Sequence, residues 1–176
     1  MANREALREL QTRLATRLQA ARTEARQASW LAVECAGHGL LFPLASAGEI
    51  FPVGTLLPVP HTLPWFIGVA NLRGGLHGVV DLAAFLGAPP TPRNLEGVHD
   101  SARLLALNPA LGSPCALLVE RLAGLRSADA LTPDAPDAGP RPAFAGAVWR
   151  DAAGRRWQEI DLAALAAHEQ FLGISG

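Results

Sequence analysis

The chain has 176 residues, 49% of them hydrophobic, enough for one domain or two small halves sharing a core, which excludes wholesale disorder. Fifteen basic residues against 16 acidic ones leave a net charge of −1, so no global field selects nucleic acid or an anionic membrane. No apolar run reaches the ~18–20 residues that a bilayer span needs, and no secretory h-region stands near the start, so the expectation is a cytoplasmic protein.

Residues 3–28 hold neither Gly nor Pro and are rich in Ala, Leu, Arg, Gln and Glu, which is strong helix composition. Leu7, Leu10, Leu14 and Leu18 recur at spacings of three, four and four and share one face. Six Arg stand against three Glu in this stretch. A basic amphipathic helix of this kind packs on its own domain or docks on a partner; without an aromatic on its stripe, a membrane surface is the weaker reading.

From Trp30 onward, 14 Pro and 17 Gly in the whole chain break it into short pieces. Trp30–Cys35 and Leu40–Pro43 are expected to pair as strands turned at Gly37-His38-Gly39, with His38 in the turn. Leu44–Ile50 reads as a short, weakly helical step. Phe51–Leu57 reads as a strand that Pro52 and Gly54 confine to an edge or a bulge. Trp65–Leu72 and Leu76–Val80 are two apolar runs joined by Arg73-Gly74-Gly75, the pattern of a buried hairpin. Asp81 then caps a short helix over Leu82–Leu86, which Gly87 and Pro89-Pro90 stop.

Ala88–Asp100 is a polar connection. Ala102–Leu107 and Cys115–Glu120 are expected to pair across Asn108–Pro114, with a further strand over Leu122–Ala128. Asp129–Pro142, acidic and proline-rich, is expected as a mobile surface loop. Phe144–Trp149 and Arg156–Ile160 form a last hairpin, and Asp161 caps a closing helix over Leu162–Phe171. About ten short strands with few helices point to a mainly β fold of barrels or a sandwich.

Catalytic chemistry finds no foothold. His38, His61, His77, His99 and His168 show no metal-type spacing, and phosphate-cradling or nucleophile-elbow motifs are absent. A Cys115–His77–Asp81 set can be drawn, as in any chain with two Cys and five His, but nothing in the spacing supports it. Cys35 and Cys115 lie in apolar runs without Cys-x-x-Cys spacing and read as small buried hydrophobes. An Arg at an exposed hairpin tip beside apolar surface, as at Arg73, suits a partner's carboxylate, although a solvated Arg is commoner.

Over most of Trp30–Leu172 the order of parts resembles the CheW family, the adaptors of bacterial chemosensory arrays. The resemblance centres on Gly68-Val69-Ala70-Asn71-Leu72-Arg73-Gly74 followed by Val79-Val80-Asp81-Leu82. Upstream, Phe42-Pro43-Leu44 to Glu49-Ile50, and Pro58-Val59-Pro60 with Pro64-Trp65, resemble the family's proline-framed segments. The long N-terminal helix and the tail Ala167–Leu172 are similar to the branch serving type IV pili and twitching motility. The resemblance implies two small five-stranded barrels packed together, as a domain over 29–176 behind a helix over 1–28, with a short C-terminal helix. It implies a non-enzymatic adaptor without cofactor or metal. The implied partners are the cytoplasmic tip of a methyl-accepting chemoreceptor and the regulatory domain of a CheA-type histidine kinase. Nucleic acid and direct membrane insertion are not implied, although recruitment to membrane receptor arrays is. Arg73 is then the residue for receptor contact, Asn71 shapes its turn, Gly74 permits the tight backbone, and Glu49 stands at the partner-binding surface. Asp81 reads mainly as a helix cap with direct contact second, and Trp65 as a buried ring with an exposed anchor second. A flagellar adaptor, or a small-molecule-binding regulatory module, are the alternative functions.

Overall fold

A computed structural model describes residues 2–92, 95, 98 and 100–176, leaving aside the side chains of 2, 3 and 24–28. A long helix α1 (Ala2–Gln27) leads directly into β1 (Ala28–Cys35) and β2 (His38–Pro43). Then come β3 (Ala47–Pro52), β4 (Phe66–Leu72), β5 (Gly75–Asp81), the short α2 (Leu82–Phe85), β6 (Arg103–Leu107) and β7 (Cys115–Val119). The chain closes with β8 (Arg121–Ser127), β9 (Leu131–Asp134), β10 (Ala145–Asp151), β11 (Arg156–Ile160), α3 (Leu162–Ala166) and α4 (Glu169–Leu172). The eleven described strands form a six-stranded sheet in the order β8-β1-β2-β11-β10-β9 and a five-stranded sheet in the order β3-β6-β7-β5-β4. The six-stranded sheet is thus built from both ends of the chain, the five-stranded one from its middle.

Alternation along each strand explains why the apolar runs are nearly continuous. Successive strand side chains point to opposite faces. Leu31 and Val33 of β1, Leu40 and Phe42 of β2, Leu105 and Leu107 of β6, and Leu117 and Val119 of β7 meet in one cluster shared by the two sheets. Their neighbours Trp30, Ala32 and Leu41 turn instead into the six-stranded unit, around Trp157. Leu104, Ala106, Ala116 and Leu118 turn into the five-stranded unit with Ile67 and Val79. A strand buried on both faces has no polar positions to alternate with.

The five-stranded sheet curls closed. β3 and β4 are its outer strands, yet the chain leaving β3 returns to β4. Leu57 N–H donates to Val69 O (2.8 Å) and Val69 N–H to Leu57 O (2.9 Å). Gly68 permits this approach. It lies at φ 143° in a bulge of β4, and a Cβ there would sit 2.5 Å from Leu57 O.

Several local expectations are corrected. His38 is the first residue of β2, paired with Cys35, and the turn is Ala36-Gly37. Leu44–Ile50 is not helical: a turn over 44–46, in which Ser46 N–H donates to Pro43 O, leads into β3. Pairing with β6 overrides the local propensity there, and Gly48 lies so close to β6 that a Cβ would sit 2.6 Å from Ala106 O. That strand ends at Pro52 rather than running to Leu57. Part of the expected mobile loop, Leu131–Asp134, is the edge strand β9, which makes the first sheet six-stranded instead of five. Pro133 is tolerated because the strand is an edge. The closing helix is two pieces, since His168 takes an extended conformation (φ −69°, ψ 133°) between α3 and α4 and redirects Phe171 onto Trp65. The polar connection Ala88–Asp100 falls partly on 93, 94, 96, 97 and 99, outside the described residues.

Candidate functional site

The hairpin β4–β5 turns through Arg73 and Gly74 alone, with Leu72 paired to Gly75. Both turn residues are left-handed (φ 51° and 81°), the geometry of a two-residue turn that follows the strand twist. Asn71 fixes the turn, its Oδ1 accepting from Gly74 N–H at 2.9 Å. Gly takes such a φ without strain, but Arg73 does so at a cost of about 1 kcal/mol or more.

The Arg73 side chain, 75% exposed, reaches across the barrel mouth to Glu49 of β3, itself 44% exposed, and the two form an ion pair. Barrel closure brings them together, because Glu49 stands on the outer strand β3 and Arg73 in the turn that follows the opposite outer strand β4. Leu76, cross-strand from Asn71, is 66% exposed, and Ile50 beside Glu49 is also exposed. The expected residues Arg73, Asn71, Gly74 and Glu49 therefore gather at one tip. It is a charged pair, fixed by backbone geometry, next to apolar side chains.

Asp81 stands apart from that tip. It is 2% exposed, Oδ1 accepts from Ala84 N–H (3.2 Å) as the cap of α2, and Oδ2 accepts from Thr91 N–H (2.8 Å). Trp65 is buried against Phe171, stacked at 6.3 Å, and against the edge of Phe85 at 5.2 Å. The Cys115–His77–Asp81 set is not assembled. His77 Nδ1 lies 3.1 Å from Gly75 O, and the Cys115 sulfur accepts from Ser113 Oγ at 3.4 Å. Among the described residues no group of three His, Cys, Asp or Glu is placed to hold a metal ion. A cleft of about 280 Å³ beside Asp81 is lined by Cys35, Thr91, Val98, Leu118 and Glu120. Its carboxylates serve the fold, Asp81 as above and Glu120 by accepting from Ala36 N–H at 2.9 Å.

A second polar cluster sits on the six-stranded sheet. Glu34 of β1 accepts from Arg121 Nε (2.9 Å) and pairs with Arg155. Hydrogen bonds from these two guanidinium groups hold its carboxyl below the usual carboxylate range. Sequence reasoning did not single it out, because its three members are far apart along the chain.

Residues 29–170 match the profile of the CheW-like domain. The chain belongs to the CheW family. It is 26% identical over 167 residues to Protein PilI of Pseudomonas aeruginosa, covering 93% of this chain and 89% of that protein. The fold is similar to the crystal structure of the scaffolding protein TtCheW from Thermoanaerobacter tengcongensis, with a TM-score of 0.62 at 17% identity. That likeness covers 77% of this chain and 89% of TtCheW. The matched family region begins just past α1 and holds both sheets, so the hairpin tip and Glu49 lie within it. Among the described residues no helix is long and apolar enough to cross a membrane.

Proposed function

We propose that this CheW-family protein is a non-enzymatic adaptor that couples methyl-accepting chemoreceptors to a CheA-type histidine kinase. The observation that carries the reading is the Arg73–Glu49 pair on the two-residue turn, beside exposed Leu76. At a turn position where Gly, Asn or Asp costs less, Arg73 is held in left-handed geometry and its guanidinium is presented to solvent. A guanidinium fixed next to apolar surface recognises a carboxylate on a partner. In this reading Arg73 contacts the receptor tip, Asn71 and Gly74 set the turn, and Glu49 orients Arg73 and contributes to the same surface. The kinase regulatory domain binds elsewhere on the two-sheet body. The adaptor makes and breaks no bonds; it binds both partners and links receptor conformation to kinase state as a coupling free energy.

The likeness to PilI over 93% of the chain supports placing it in a chemosensory system controlling type IV pili, as a cytoplasmic protein recruited to membrane receptor arrays. Genome neighbours distinguish this from a flagellar system.

Calorimetric titration of the full chain with a receptor tip fragment, and separately with the kinase regulatory domain, tests the reading. Arg73→Glu is expected to weaken the receptor at least about tenfold and to leave the kinase domain unaffected. If both partners bind and the substitution changes neither, the site assignment fails. If neither binds, the adaptor reading fails.

A further inference from the structure

α1 carries an apolar seam that the body leaves uncovered. Leu7, Leu10, Leu14 and Leu18 are between 51 and 60% exposed, and the helix meets the body chiefly at β8. At about 100° per residue the four side chains fall within an arc of about 80°. Arg4, Arg8 and Arg22 border the seam on one side, Arg13 and Arg17 on the other, while Glu5 and Glu9 point away from it. Of these five Arg only Arg13 has an ion-pair partner among the described residues, Glu9 at 2.7 Å.

Seam width and rim charge together select the occupant. An arc of about 80° is narrower than the ~100° or more of a helix that lies on a domain core, and corresponds to the seam of a helix–helix contact. The spacing of three, four and four spans 11 residues at about 3.67 per turn, close to the ~3.6 of a straight helix, so the seam runs nearly parallel to the helix axis. A second copy of α1 is disfavoured in either direction, because parallel and antiparallel pairing both set Arg rims against Arg rims. An anionic membrane matches the charge but not the seam, which is narrow and carries no Trp or Phe. The remaining occupant is an amphipathic helix whose own apolar seam is bordered by carboxylates.

We propose that α1 is a docking helix for an acidic-rimmed amphipathic helix of a partner protein. The surface belongs to a different element from the hairpin tip, so it is independent of the role given to Arg73. Binding gains specificity from the Arg rims and burial from the four Leu, and it weakens as salt screens the rims.

The test titrates the full chain with a synthetic helical peptide of α1's length, carrying Leu at the same three-four-four spacing and Glu at the flanking positions. A second peptide has Lys at those flanks. The expected result is binding to the Glu-flanked peptide alone, weakened at least about tenfold by Leu10→Ala with Leu14→Ala. Reversal of Arg4, Arg8, Arg17 and Arg22 to Glu is expected to switch preference to the Lys-flanked peptide, an exchange that an unfolded helix cannot produce. Equal binding to both peptides, or to neither, overturns the proposal. So does Leu-dependent binding to phosphatidylglycerol vesicles in the absence of peptide binding. A Leu-dependent dimer in sedimentation that excludes the peptide overturns it as well.

Discussion

Gly39 of β2 lies flat against the ring of Trp157 on β11, so near that a Cβ at position 39 would sit 2.7 Å from Cε3. The ring has little freedom to withdraw. Its Nε1–H donates to Asp151 Oδ2 at 2.9 Å, and the Arg155 and Arg126 guanidinium groups lie 4.7 and 5.3 Å from its centroid. Overpacking a buried contact of this kind costs about 1–3 kcal/mol. Gly39→Ala is expected to lower the urea midpoint accordingly, and an unchanged midpoint would show that the strand can shift away from the ring.

Asp81 holds two backbone N–H groups with one buried carboxylate. Asp81→Ala leaves Ala84 and Thr91 without an acceptor and is expected to cost about 2–4 kcal/mol in chemical denaturation. Asp81→Asn keeps a carbonyl oxygen for one of the two and should lose less. Receptor-tip affinity measured well below the unfolding midpoint should stay at the wild-type value in both. A loss of affinity without a loss of stability would instead make Asp81 part of the contact surface.

Glu34 links stability to pH. Its folded-state pKa is depressed below the ordinary value near 4.5 by Arg121 and Arg155. The stabilisation is therefore present above that ordinary value and is lost as pH falls through the folded-state pKa. Glu34→Gln is expected to be less stable than the wild type at neutral pH, with the gap closing in acid. A gap that is constant with pH would assign the effect to packing alone.

Cys35 has the opposite sense. Burial pushes its thiol up to about 12, with Glu120 and Asp81 adding to the effect. Its contribution is complete below the ordinary thiol value of 9.0 and falls as pH rises from there toward the folded value. The native protein should resist iodoacetamide at Cys35 near pH 8, and unfolding in guanidinium should release the reaction. Mass spectrometry of the alkylated peptide reads the difference, and fast native labelling would show that the strand opens locally.

Features written in adjacent residues were legible from sequence. The β4–β5 hairpin and the Asp81 and Asp161 caps each depend on contacts a few residues apart, and turn and cap chemistry fixes them. The role of Asn71 in that hairpin's turn came through resemblance to a family. Glu49 was reached only through resemblance to a family, since it meets Arg73 after the barrel closes through Leu57 and Val69. β3 and β9 were missed for a related reason: their local propensities are weak, and partners far along the chain, β6 and β10, make them strands. The Leu seam of α1 was plain in the spacing, but the spacing could not say that the body leaves it bare.

The order of the strands also bears on how the chain is made. β3 to β7, all within residues 47–119, can pair with one another as soon as that stretch is made, whereas β2 gains its neighbour β11 only with residues 156–160. Until then the shared faces of β1 and β2 have only the five-stranded sheet to cover them. Protection of a nascent chain should therefore reach the five-stranded sheet before the six-stranded one.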